Sequence, residues 1–140
     1  MAQDFSKRFD KLNKQIEAFA QKANMSVNKT IKGSAIVLFR GVIRTSPVDT
    51  GRFRANWQVS GASPASGTVD AEDESGSAAV NAMTAHINGE RVNLEFTLAN
   101  NLPYAYALEY GYSQQAPQGM VRINVARFQR ILDEQARINR

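Results

Sequence analysis

Residues 5–42 read FSKRFDKLNKQIEAFAQKANMSVNKTIKGSAIVLFRGV. In the first half, the apolar positions Phe5, Phe9, Leu12, Ile16, Phe19 and Ala23 recur at spacings of 4, 3, 4, 3 and 4, which puts them on one stripe of a helix. Lys7, Arg8, Asp10, Lys11, Asn13, Lys14 and Gln15 occupy the other faces. The stripe is as narrow as a coiled-coil seam, and one helix or one groove would cover it. Phe5, Phe9, Leu12, Ile16 and Phe19 are therefore candidates for an interface between subunits. In the second half, Val27, Ile31, Ala35, Leu38 and Val42 recur at 4, 4, 3 and 4 and predict a second, central helix. Asn24 is suited to end the first helix in a left-handed conformation, and Ser26 to cap the second. A single straight helix over residues 3–45 would span about 64 Å, well beyond a domain whose radius of gyration is about 14 Å. The helical segment 3–45 should therefore bend near Asn24 or Gly33, or project toward a neighbour.

Beyond this segment the period changes. Pro47 cannot continue a helix, and Asp49-Thr50-Gly51 supplies turn chemistry. Phe53, Ala55, Trp57 and Val59 then alternate with polar residues, Arg52 and Arg54 among them, as in a strand. Residues 61–77 are rich in Gly, Ser, Ala and Pro and carry Asp70, Glu72, Asp73 and Glu74, which predicts a flexible acidic loop. A short helix over 77–86 follows, with Asn88-Gly89 as a turn. Val92, Leu94, Phe96 and Leu98 alternate as a second strand over 91–99. Pro103 opens a short helix that Gly111 ends. Val121, Val125, Phe128, Leu132 and Ala136 mark a closing amphipathic helix. The expected fold is α+β: a small antiparallel sheet packed against long N-terminal helices and a C-terminal helix, in one domain over residues 1–140.

Composition narrows the chemistry. The 140 residues include no cysteine and one histidine, His86, which excludes disulfides, thiolate metal sites and a cysteine nucleophile. With 43% hydrophobic and 21% charged residues, the chain has an ordinary globular composition. No apolar run approaches a membrane span, and no apolar signal core follows the first charges, so the expectation is a protein made in the cytoplasm and not inserted in a membrane. Charge is unevenly spread. Residues 1–54 hold 11 basic and 4 acidic groups, residues 55–100 hold 1 and 6, and residues 101–140 hold 5 and 3. Such a split suits either a basic face for nucleic acid or copies pairing positive to negative.

No assembled chemistry is evident. His86 with Asp70 or Glu72 is the only base-and-orienter pair to consider, and it falls on a surface helix beside the acidic loop. The loop itself lacks the ligand alternation and glycine of a calcium site. The chain is read as a non-enzyme with no cofactor, no metal and no catalytic residue. Two stretches are instead dense in special residues. The first runs from Ser46 to Trp57 and includes Pro47, Asp49, Thr50, Gly51, Arg52, Arg54 and Asn56. The second runs from Asn100 to Met120 and contains Tyr104, Tyr106, Tyr110 and Tyr112, rings of the kind interfaces favour. Its single acid, Glu109, has Arg52, Arg54 and Arg122 as candidate partners for a bidentate pair.

Pro47-Val-Asp-Thr-Gly-Arg52 with Asn56-Trp57 resembles a motif of the neck and tail-completion proteins of long-tailed bacteriophages. So do Asn101-Leu-Pro-Tyr-Ala105, Leu108-Glu-Tyr-Gly-Tyr-Ser113 and Gln115-Ala-Pro-Gln-Gly-Met-Val-Arg122. This head-to-tail component family includes minor tail proteins. The resemblance covers about residues 40–130 and makes Pro47, Asp49, Thr50, Gly51, Arg52, Trp57, Tyr104, Ala105, Glu109, Gly111, Gln115, Ala116, Pro117, Gly119 and Met120 its motif positions. It leaves out the N-terminal seam and the acidic loop.

The resemblance implies a structural virion protein of the head-to-tail junction, a homo-oligomeric ring of six copies that joins connector and tail tube and lets DNA pass. Its partners would be other neck and tail proteins: connector or adaptor, stopper, and tail terminator or tube. A ring requires that one patch meet a different patch on the next copy, and the seam, with Tyr106, Tyr110 and Tyr112, offers candidates. Arg52 and Arg54 are the candidate lumen residues, where contact with DNA phosphates would be independent of base sequence. The competing reading is a small basic nucleic-acid-binding module, which the basic ends favour. Against it, the chain shows no recognition helix, zinc ligands or RNA-binding aromatic motif.

Overall fold

A computed structural model describes residues 2–140, with the side chains of residues 7, 8 and 10–140. In chain order its elements are α1 (Ala2–Thr45), α2 (Arg52–Ala55), β1 (Gln58–Ser60), α3 (Ser77–Gly89), β2 (Thr97–Ala99), α4 (Ala105–Glu109), α5 (Val121–Val125) and α6 (Phe128–Ile138). The architecture is α+β, with the strands paired antiparallel at Gln58↔Ala99, Val59↔Leu98 and Ser60↔Thr97.

The two helices expected from residues 3–45 are one. Positions 12, 16, 19, 23, 26, 30, 33, 37 and 41 all fall within about 100° of arc on a straight helix, so the face of the seam runs on past Asn24 as Ser26, Thr30, Gly33, Val37 and Gly41, while the apolar positions Val27, Ile31, Ala35, Leu38 and Val42 lie about 80° round from it. No residue other than glycine takes a positive φ among the described residues, and Asn24 stays right-handed. The 44 residues of α1 reach about 66 Å.

Among the described side chains of α1, those from Ser26 onward are the packed ones. Gln135 of α6 lies over Gly33, and Asn124 of α5 over Gly41, so closely that a Cβ on either glycine would collide. Farther back, the Ser26 hydroxyl donates to the carbonyl of Asn139. α6 therefore runs antiparallel to α1 and stops opposite Ser26. On another face α3 is also antiparallel: Gly76 sits against Ile43, and Lys32 Nζ donates to the Asn88 carbonyl at 3.3 Å. Ile43, Met83, Ile87 and Met120 are fully buried where these elements meet, with Val42, Phe53, Trp57, Val80, Leu102 and Ala116 around them. Each such side chain contributes about 1.5–3 kcal/mol on burial. From residue 25 back to residue 10, α1 is exposed on every side.

Three elements differ from expectation. Residues 52–55 form a helical turn ahead of a short strand, begun by the Ala55 N–H donating to the Gly51 carbonyl at 3.0 Å. Residues 91–96 form no ladder, because β1 is only three residues long and the Glu90 carboxylate takes the N–H groups of Arg91, Val92 and Asn93. The C-terminal helix is divided at Ala126-Arg127, where the Arg127 N–H turns to the Asn124 carbonyl. Loop 61–76 is irregular, and it is bonded to the body at several points. Buried Asn56 donates to the Val69 carbonyl at 3.0 Å and accepts from the Val69 N–H at 2.7 Å. The Asp73 carboxylate accepts from the Ala79 N–H at 3.0 Å.

Candidate functional site

The two motif stretches meet at the C-terminal end of α1. At the first, Ser46 is buried as it leaves the helix. Its hydroxyl donates to the Val42 carbonyl at 2.7 Å and accepts from the indole N–H of Trp57 at 2.8 Å. Gly51 takes φ +90°, and a Cβ there would meet the backbone of Asp73 and Glu74 at 2.5–2.6 Å. Arg54 donates to three carbonyls, those of Ser46, Arg44 and Glu74, at 2.8–2.9 Å. Burial pulls its pKa below the usual arginine value, against the opposing pull of Asp73. Arg54 thus ties the exit of α1 to the acidic loop. Arg52 is exposed.

At the second stretch, Glu109 organises the backbone. Its side chain is 15% exposed. One carboxylate oxygen accepts from the N–H groups of Met120 and Val121 at 2.9 and 2.8 Å. The other accepts from Arg122 N–H and Nε at 3.0 and 3.1 Å. Of the three candidate arginines, the partner is Arg122. Burial opposes the charge on Glu109, but the backbone donors of Arg122, Met120 and Val121 and the Arg122 side chain outweigh it, so its pKa lies below the ordinary carboxylate value. The approach depends on Gly119, at φ +85°, where a Cβ would strike the Glu109 carboxylate.

Gln115 joins the stretches. Its side-chain amide accepts from the Val48 N–H at 2.8 Å and donates to the Val48 carbonyl at 2.9 Å, as a neighbouring strand would. Phe53 and Tyr104 pack with ring centroids 6.0 Å apart. Between them opens a cleft of about 330 Å³ whose lining includes Pro47, Asp49, Thr50, Arg52 and Tyr112. Ala105, Ala116 and Met120 belong to the core behind it, while Gly111, at φ +90°, turns the chain against Pro117. Tyr106 and Tyr110 stack at 4.6 Å with the Arg122 guanidinium 4.6 Å from the Tyr110 ring centre. The outer rings of Tyr106, Tyr110 and Tyr112 are 75%, 58% and 84% exposed.

No cluster of metal-ligating side chains occurs among the described residues. His86 packs edge-on against Phe96, and among the described residues no hydrogen bond joins it to Asp70 or Glu72. What the geometry offers is an exposed tyrosine surface beside a cleft. Along α1, Leu12, Ile16 and Phe19 are 50%, 56% and 76% exposed; the side chains of Phe5 and Phe9 lie outside the described residues.

The family model for the bacteriophage HK97-gp10 tail component matches residues 10–111. The chain belongs to this HK97-gp10-like family. No curated protein and no solved structure matches it. The match takes in most of the seam of α1, which the motif resemblance leaves out, and ends before the Gln115–Arg122 run. As a phage tail component the protein is virion-associated and meets other tail proteins. No helix among its described residues is long and apolar enough to cross a membrane.

Three structural residues of this tail component escaped the sequence reading as such. Ser46 and Asn56 were visible only as members of a motif, and Asn124 carried no signal. Asn124 is 2% exposed and donates to Thr45 Oγ1 and the Met120 carbonyl, fixing the start of α5 on α1.

Proposed function

We propose that this tail component is a non-enzymatic subunit of the head-to-tail junction, a neck or tail-completion protein. Copies assemble into a ring, six in number as in the resemblance, that joins connector to tail tube around passing DNA. The observation that carries this reading is the exposed apolar seam of Leu12, Ile16 and Phe19 on a helix that outruns its own packing. Most helical stability in proteins comes from packing an amphipathic face, and the seam continues the face that α6 covers farther along. It is surface left for another polypeptide. The tyrosine platform at the opposite end supplies a second contact area. Arg52 keeps its guanidinium toward solvent for phosphate contact, whereas Arg54 is occupied by carbonyls.

Electron microscopy of particles produced by phage lacking this protein tests the reading. Filled heads and unfinished or unattached tails are expected. Normal, infectious particles would overturn it.

A further inference from the structure

Resting on that reading, we infer that the seam of one copy docks in a specific groove of the next, between the acidic loop and α3. The groove has a volume of about 390 Å³ and is lined by Val59, Val69, Ala71, Ala78, Ala82 and Met83, with Glu72 and Asp73 also on it. Small residues on the α3 side let a helix approach closely, and the loop side is acidic.

Charge selects this groove over the others. On a straight helix Arg8, Lys11 and Lys22 fall along one edge of the seam, while Asn13 and Asn24 border the other. The seam therefore has one basic edge. The groove has one acidic edge: Asp70, Glu72 and Glu74 are exposed, and none of them forms an ion pair among the described residues. The apolar cleft beside the end of α6 is lined by Lys22, Lys29 and Arg140. The cleft between α1 and Phe128 has no charged lining residue. Of these three, the groove beside the acidic loop complements the helix; the cleft at the Asp49 turn sets Arg52 beside its one acid, and the cleft at the end of α1 carries Arg44 and Arg54.

Geometry makes the contact intermolecular. Gly76, at the end of that loop, packs on Ile43, about 40 Å along α1 from Ile16 at 1.5 Å per residue. A continuous helix cannot fold its own seam back that far. The basic pole of one copy must meet the acidic pole of another, a head-to-tail contact that closes into a ring or runs into a filament.

The absence of cysteine allows a direct test. Gln15→Cys protein and Ala71→Cys protein, each otherwise unaltered, are mixed and oxidised, and the disulfides are mapped by mass spectrometry while light scattering gives the mass. Links between residues 15 and 71 are expected to exceed both homodisulfides. Adding Glu72→Lys and Glu74→Lys should weaken association roughly tenfold at low salt. Reversing Arg8 and Lys22 to Glu in the partner should restore it. Dominant 15–15 links would show seam against seam and overturn the groove while leaving self-assembly. An oligomer without 15–71 links would do the same. A subunit that stays solitary in solution and unlinked in virions would overturn both the groove and the ring.

Discussion

Glu109 organises the surface around it through its carboxylate. Its carboxylate gathers three consecutive backbone N–H groups, at Met120, Val121 and Arg122, and so fixes where α5 begins. Glu109→Ala leaves those donors unpaired near the core and should cost about 2–3 kcal/mol, read as a lower urea midpoint. Arg122→Ala should cost less, about 1 kcal/mol or below, because its side chain is half exposed. The pH dependence has a definite sign. A carboxylate with a depressed folded pKa stabilises fully above the ordinary glutamate value, and that contribution is lost as pH falls through the folded value. Acid titration of Glu109→Gln should therefore show a shallower loss of stability below that ordinary value than the parent chain shows. Glu109 and a short set of arginine partners are legible in the sequence, because a lone acid among tyrosines is conspicuous. Buried Asn56 and Asn124 are not, since nothing in a sequence separates an asparagine that spans two segments from one in solvent.

Among the elements, the ambiguous ones were those whose apolar spacing suits two periods. Phe53 and Trp57, four apart, share a face in a strand and also in a helix, and the turn at Gly51 decides for helix at 52–55. The long helix was legible for the opposite reason. Its two apolar stripes, over 5–23 and 27–42, each suit only the helical period; the end expected at Asn24 is absent, because the shift of about 80° between them needs no break in the helix. Loop 61–76 is where composition and structure meet. Its Gly, Ser and acidic residues give it no core, so it relies on borrowed hydrogen bonds, chiefly from Asn56. Asn56→Ala removes two of them, both to Val69, along with a bond to the Arg52 carbonyl, and should destabilise by about 2–3 kcal/mol. A glutamate-specific protease should then cut at Glu72 and Glu74 faster than in the parent protein; equal cutting rates would mean that the loop is held by other contacts.

As a whole, the molecule has two poles of unlike character. A packed body with an acidic loop sits at one end of α1, and a bare basic helix with an apolar stripe lies at the other. Leu12→Asp tests their independence. The exposed stripe contributes little within the subunit, so unfolding of the body should shift by less than about 0.5 kcal/mol, while sedimentation should show association lost. Unchanged association would mean that the stripe joins no copies.

The unbroken run of α1 also makes chain length a matter of rotation. Deleting seven residues between Phe19 and Gly33 would turn the bare end by about 20° relative to the body and draw it in by about 10 Å. Deleting two would swing it about 160°, to the far side. Length changes in this rod should therefore be tolerated where they come close to whole turns, as seven or eleven residues do, and rejected where they fall between, much as a key tolerates a shorter shank but not a twisted bit.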